Sequence, residues 1–172
     1  MLLRPVFLVI VLTVIVPALA NEPSLGPVVE GYGPTYPVTD RDVALPEGFV
    51  YKAVFDIAQD PVAGSVNRNL VSVARYLNMH ARNGVDIKNM NLAIVVHGSA
   101  VGNLLNTDDN PNLELITSLQ KAGVKFYVCG QSMAFGGVAR DELTDGIKVA
   151  LSAMTMLTIL QSEGYALLPW GA

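Results

Sequence analysis

The run NLAIVVH, residues 91–97, constrains the fold more than any other stretch, because residues 92–96 are apolar without a break. A strand with one wet face alternates apolar and polar residues. A strand with no polar position needs cover on both faces, which is the environment inside a parallel sheet. A second run of this kind, VKFYVC at residues 124–129, closes on Gly130 as the first closes on Gly98. A β-branched and aromatic run closed by glycine reads as a buried strand ending in a turn.

The rest of the chain supplies the covering layers. Residues 49–57, FVYKAVFDI, read as the first strand. Asp60-Pro61 marks a loop, and Ser65 or Asn67 can cap a helix running to about Asn83 and stopped by Gly84. Val66, Leu70, Val73, Ala74, Leu77 and Ala81 recur at three- and four-residue steps and form one apolar stripe. Arg68, Arg75 and Arg82 fall on the other side and read as a solvated face. His80 lies off the stripe and reads as a surface or oligomer-contact residue. Asp109 or Asn110 with Pro111 reads as the start of a second helix, ending at Gly123. Residues 131–143 look partly helical, broken at Gly136-Gly137. A short strand over 147–151, a very apolar helix over 153–162 capped by Ser152, and a last strand over 165–168 stopped by Pro169 complete the chain. Strand and helix alternate throughout. The expected fold class is therefore α/β, a parallel sheet with helices on both sides.

Two segments precede this domain. Residues 1–20 have a positive start at Arg4, an apolar run, and the small-x-small pattern Ala18-Leu19-Ala20, the composition of a secretory signal peptide cleaved after Ala20. The apolar run is short for a membrane span. Residues 21–48 carry Pro23, Pro27, Pro34, Pro37 and Pro46 with Gly26, Gly31 and Gly33, which excludes a helix. They read as an extended arm pinned by Tyr32 and Tyr36, or as a disordered one. Gly31-Tyr32-Gly33 is not a dinucleotide fingerprint, since no strand precedes it and no helix follows. Residues 49–172 then form the single folded domain.

Charge and cysteine usage narrow the function classes. The whole chain carries a formal charge of -4, and removal of Arg4 with the leader leaves 10 basic and 15 acidic residues, a charge of -5. An acidic domain without Lys/Arg clusters suits neither nucleic acid nor, once the leader is cleaved, a membrane surface. The expected localisation is the periplasm in a Gram-negative bacterium and otherwise the extracellular space. There the single cysteine, Cys129, can form no internal disulfide, and a free thiol must be buried, capped or used.

Cys129 ends its strand at a turn into a short helix, where unpaired N–H groups favour a thiolate. The competing reading is a small core hydrophobe, since cysteine is among the most buried residue types. His97 ends the preceding buried strand. If the two strands are neighbours, His97 and Cys129 share one rim, and a Cys–His pair is the minimum of an activated thiol. His97 can equally cap a loop carbonyl. Gly98, Ser99, Gly130, Gln131 and Ser132 lie at the same rim as candidate substrate-binding groups, with loop capping as the alternative for the serines. Asp108-Asp109 and Asp141-Glu142 have no His or Cys at ligand spacing, so no metal site is expected. No P-loop and no G-x-S-x-G elbow occurs.

The segments NLAIVVHGSA, KAGVKFYVCGQSM, VALSAMT and GYALLPW together resemble the DsrE/DsrF-like family, in particular its exported single-domain branch. The resemblance spans roughly residues 49–170, and the Cys-Gly-Gln-Ser and His-Gly segments are its most specific part. It implies a three-layer α/β/α domain with a five-stranded, mainly parallel sheet. It implies homo-oligomers, often trimers or hexamers, and a persulfide passed between donor and acceptor proteins by cytoplasmic members. Cys129 matches the position of the family's functional cysteine. Two functions stay open on this reading. One is a sulfur carrier, a possible sulfurtransferase-like activity, in which Cys129 holds sulfane sulfur and His97 shuttles a proton. No cofactor is expected, because the sulfur is held covalently. The other is a non-catalytic ligand-binding or assembly domain with an inert, buried Cys129.

Overall fold

The computed structural model describes residues 22–59 and 64–168. The expected leader at 1–20, Asp60-Pro61 and Pro169 lie outside the described residues. Five strands form one sheet: β1 (Tyr51–Ile57), β2 (Met90–Val96), β3 (Lys125–Cys129), β4 (Lys148–Ala150) and β5 (Ala166–Leu168). Their spatial order is β4-β3-β2-β1-β5, and every pairing is parallel. The helices are α1 (Arg68–Arg82), α2 (Leu113–Lys121), α3 (Gly130–Gly136) and α4 (Ala153–Ser162). This is the three-layer α/β/α fold with a five-stranded parallel sheet.

The central strand explains the architecture. Six of the seven residues of β2 are buried, so both of its faces must be covered. Leu92, Ile94 and Val96 pack with Phe55 and Phe126 into the larger core, against Leu70, Val73 and Leu77 of α1 and Leu115, Ile116 and Leu119 of α2. Ala93 and Val95 face the other way, with Val54 and Cys129, into a thinner core under Ala153 and Leu160 of α4. The side-chain alternation of a strand therefore puts Cys129 on the α4 face.

Local chemistry sets the helix ends. Asn67 caps α1 by accepting from the Asn69 N–H, and Ser152 caps α4 by accepting from the Thr155 N–H. The second helix begins later than the sequence suggests. Asn112 is its N-cap residue, because the Asn110 carboxamide accepts from the Asn112 N–H and closes a turn that holds Pro111 outside the helix. Residues Gly98–Leu104 form 3-10 turns that the sequence pattern did not reveal.

Residues 22–50 lie against α1 rather than apart from the domain. Asn78 of α1 is fully buried and reads the backbone of this segment. Its Oδ1 accepts from the N–H groups of Val28 and Val29, and its Nδ2 donates to the carbonyls of Val29, Tyr32 and Gly33. The Tyr32 hydroxyl donates to Glu114. Two readings of α1 need correction here. Arg75 and Arg82 are not a merely solvated face: Arg75 donates to the Pro34 carbonyl, and Arg82 to those of Gly26 and Leu25. His80 is not a surface residue. It is buried between the Tyr51 and Tyr76 rings, with Nδ1 bonded to the Tyr76 carbonyl, because the arm and β1 cover the flank that a single-helix stripe leaves open.

Candidate functional site

The site is built at the C-terminal rim of β2 and β3, where open parallel sheets place their ligands. Cys129 is the last residue of β3 and the N-cap residue of α3. It is 5% exposed and is the one cysteine, unpaired. At the N-cap it faces the free N–H groups of the first turn, although in this resting geometry the thiol makes no full capping hydrogen bond. Burial pushes the thiol pKa up. The Ser132 hydroxyl and the N–H groups of Ser132, Ala153 and Gln131 act against burial and outweigh it, so the net shift is downward.

Ser132 is the most informative of these donors. Its Oγ accepts from the Gly98 N–H at 3.0 Å. That bond occupies an acceptor position of the hydroxyl and leaves its single proton for the Cys129 sulfur. The Ser132 hydroxyl therefore relays between the main chain after β2 and the thiol at the end of β3, favouring the thiolate without a full hydrogen bond to the sulfur.

The two glycines act by allowing close approach. Gly98 has φ +60, and a Cβ there would stand 2.9 Å from the Ala58 carbonyl oxygen. A Cβ on Gly130 would stand 2.8 Å from the Ala150 carbonyl oxygen. The bare Gly130 lets the turn between β4 and α4 close onto β3, and this carries the Ala153 N–H to the sulfur. Gln131 contributes its N–H, while the residue itself is exposed. Ser99 turns towards β1, its hydroxyl 3.4 Å from the Ala58 carbonyl.

His97 follows β2 directly. The register pairs Val96 with Val128, so the next pair along the two strands is His97 and Cys129, on the same face. The imidazole is not among the groups that shift the thiol. Its Nε2 lies 3.0 Å from Oδ1 of Asp56, on β1. Two contributors thus went unread in the sequence. Asp56 could have been noticed as the lone acidic residue in the strand YKAVFDI, in step with Val54. The Ala153 N–H could not, because only the path of α4 across the sheet brings it near Cys129. Among the described residues no group of three or more His, Cys, Asp or Glu side chains could hold a metal ion.

Comparison with known proteins agrees with this architecture. The structure of MTH1491 from Methanobacterium thermoautotrophicum, described as a protein of unknown function, superposes with a TM-score of 0.57 at 24% identity, over 69% of this chain and 98% of that one. The ychN protein of E. coli superposes with a TM-score of 0.54 at 15% identity, over 70% of this chain and 99% of the other. At such identities the likeness is one of fold. No curated protein matches the chain. The DsrE/DsrF-like family matches residues 52–170, from the second residue of β1 through β5. On that match the chain belongs to the DsrE/DsrF-like family, which is associated with sulfur metabolism.

Proposed function

We propose that this protein carries sulfane sulfur as a persulfide on Cys129 and passes it on. The reading is supported by the place of the thiol, which ends β3 at the first turn of α3 among the N–H groups and the Ser132 hydroxyl that lower its pKa. A cysteine kept for packing has its pKa raised by apolar surroundings, whereas Cys129 is lowered despite its burial. Loading requires no net redox change. The Cys129 thiolate attacks the outer sulfur of a donor persulfide, a new S–S bond forms as the donor's own breaks, and the donor leaves as a thiolate. Ser132 and the N–H groups of Gln131, Ser132 and Ala153 hold negative charge on the Cys129 sulfur. Gly98, Ser99 and Gly130 shape the rim that the incoming sulfur reaches, and His97 handles a proton there.

Export is part of this proposal and rests on the composition of residues 1–20; the compartment would be the periplasm or the extracellular space. Assembly into a homo-oligomer, a trimer or hexamer, is supported by apolar residues near the rim that stand in solvent: Phe135 at 96%, Met154 at 77% and Leu151 at 71% exposure. Light scattering should then give a multiple of the chain mass at micromolar concentration, and a monomer would refute the assembly.

The deciding experiment is intact-mass analysis before and after polysulfide treatment, beside a Cys129→Ser control. The carrier reading expects a gain of one sulfur atom that the control lacks and a reductant removes. No gain on folded protein would leave Cys129 as inert packing in a ligand-binding or assembly domain.

A further inference from the structure

Asp56 is a carboxylate set in an apolar strand. Its Oδ1 and Nε2 of His97 are 3.0 Å apart, both atoms are buried, and neither forms a hydrogen bond with any other described group. The two atoms stand within hydrogen-bond distance without the alignment of a hydrogen bond. As whole side chains, His97 keeps 31% and Asp56 33% exposure. Nε2 is covered, and Nδ1 bonds to no described residue. Asp56 and Cys129 lie on β1 and β3, and His97 directly follows β2 between them, all three at the C-terminal rim.

We propose that Asp56 is a positioning residue for sulfur transfer: it holds the proton of neutral His97 on Nε2 and so leaves Nδ1 as the basic nitrogen at the Cys129 rim. The chemistry of the assignment rests on the sulfur-transfer reading, while its geometry stands on the Asp56–His97 contact. In neutral imidazole one nitrogen donates and the other accepts, and the partner of the first decides which is which. A carboxylate can only accept, so it selects the Nε2–H form. An acceptor thiol that reaches the rim then loses its proton to Nδ1. Its sulfur attacks the outer sulfur of the Cys129 persulfide, the new S–S bond forms, and the old one breaks. Cys129 leaves with the electron pair as a thiolate on the Ser132, Gln131 and Ala153 donors. The acceptor becomes the persulfide, and His97 later releases its proton to water. Titratable groups on the α4 face of the strands beside His97 are Lys52 and Asp56 on β1 and Lys125, Tyr127 and Cys129 on β3. The segments Gly98–Leu104, α3 and α4 bring no charged side chain.

Two acceptors separate proton handling from packing. Mercaptoethanol must lose a proton to react, whereas sulfite attacks as an anion and yields thiosulfate. With protein loaded from polysulfide, Asp56→Asn should slow single-turnover transfer to mercaptoethanol about tenfold more than transfer to sulfite. Equal slowing of both, or of neither, would overturn the assignment. A second readout needs no sulfur at all. At about pH 8, where histidine is ordinarily neutral, long-range 1H–15N NMR should show His97 as one tautomer with its proton on Nε2. In Asp56→Ala the spectrum should show a mixture, with thermal melting confirming the fold. A single tautomer that survives in Asp56→Ala overturns the proposal. If the wild-type protein takes up no sulfur, it is the carrier reading that fails, and the tautomer spectrum alone decides the role of Asp56.

Discussion

Replacing Ser132 by alanine removes the one side-chain donor on the Cys129 sulfur and leaves the main-chain donors of Ser132, Gln131 and Ala153 in place. A hydrogen bond to a charged group is worth about 1.5–3 kcal/mol. The lower end applies here, because three N–H groups remain and Ser132 is partly open to water that can take its place. About 1.4 kcal/mol corresponds to a tenfold change in an equilibrium. The equilibrium between thiol and thiolate of Cys129 should therefore move on the order of tenfold towards the thiol. The Gly98 N–H also loses its acceptor, but it lies at an exposed turn and water can replace the hydroxyl. The cost to folding should stay below about 1 kcal/mol. The assay is the rate of alkylation by iodoacetamide across pH, beside a thermal melt. Wild-type protein should reach its plateau at a lower pH than Ser132→Ala, and on the rising limb of the profile the variant should react about tenfold more slowly. Identical profiles for two folded proteins would refute the relay from Gly98 through Ser132 to the sulfur. Alkylation of wild-type protein only after unfolding would refute the reactive thiol itself.

Gly130→Ala should press its Cβ onto the Ala150 carbonyl, where only 2.8 Å is available. It should cost about 1–3 kcal/mol in a urea melt and slow neutral-pH alkylation as the Ala153 N–H moves off the sulfur. Asn78→Ala would strand five buried or part-buried backbone groups of the arm. At about 1–3 kcal/mol for each unsatisfied group, even partial rescue by water leaves a loss of more than about 3 kcal/mol. Limited proteolysis should then cut within residues 22–48 before the sheet domain, whereas equal resistance in wild type and variant would show that Asn78 does not secure the arm. Burial lowers the His80 pKa from 6.5 and its bond to the Tyr76 carbonyl opposes this, with the net shift downward. Folding therefore disfavours protonation. Stability is full above the unfolded value of about 6.5 and declines as pH falls from there towards the folded value. Thermal melts across that window should show the decline in wild type and a shallower one in His80→Gln.

The strands and most helix limits could be read directly from the chain. The continuous apolar run ending before His97 demanded cover on both faces, and the glycines after His97 and Cys129 ended the strands within one residue of where the structure ends them. The placement of Cys129 at a strand end facing a helix start follows from the same local pattern, because alternation and turn chemistry act over a few neighbouring residues. Pairing between distant segments was decided by the tertiary structure. Only the strand order sets His97 between Asp56 and Cys129, and only the crossing of α4 brings the Ala153 N–H to the sulfur. His80 looked exposed because a helical stripe shows which face is apolar, not what else will be laid over its flank. Asn78 lies among the residues of α1 with no mark of its own, and its role exists only because an arm some fifty residues earlier presents it with two N–H groups and three carbonyls. Those groups are on every backbone, so their sequence carries no signal of where they will be satisfied; the requirement that buried polar groups be paired is met only when the chain has closed on itself.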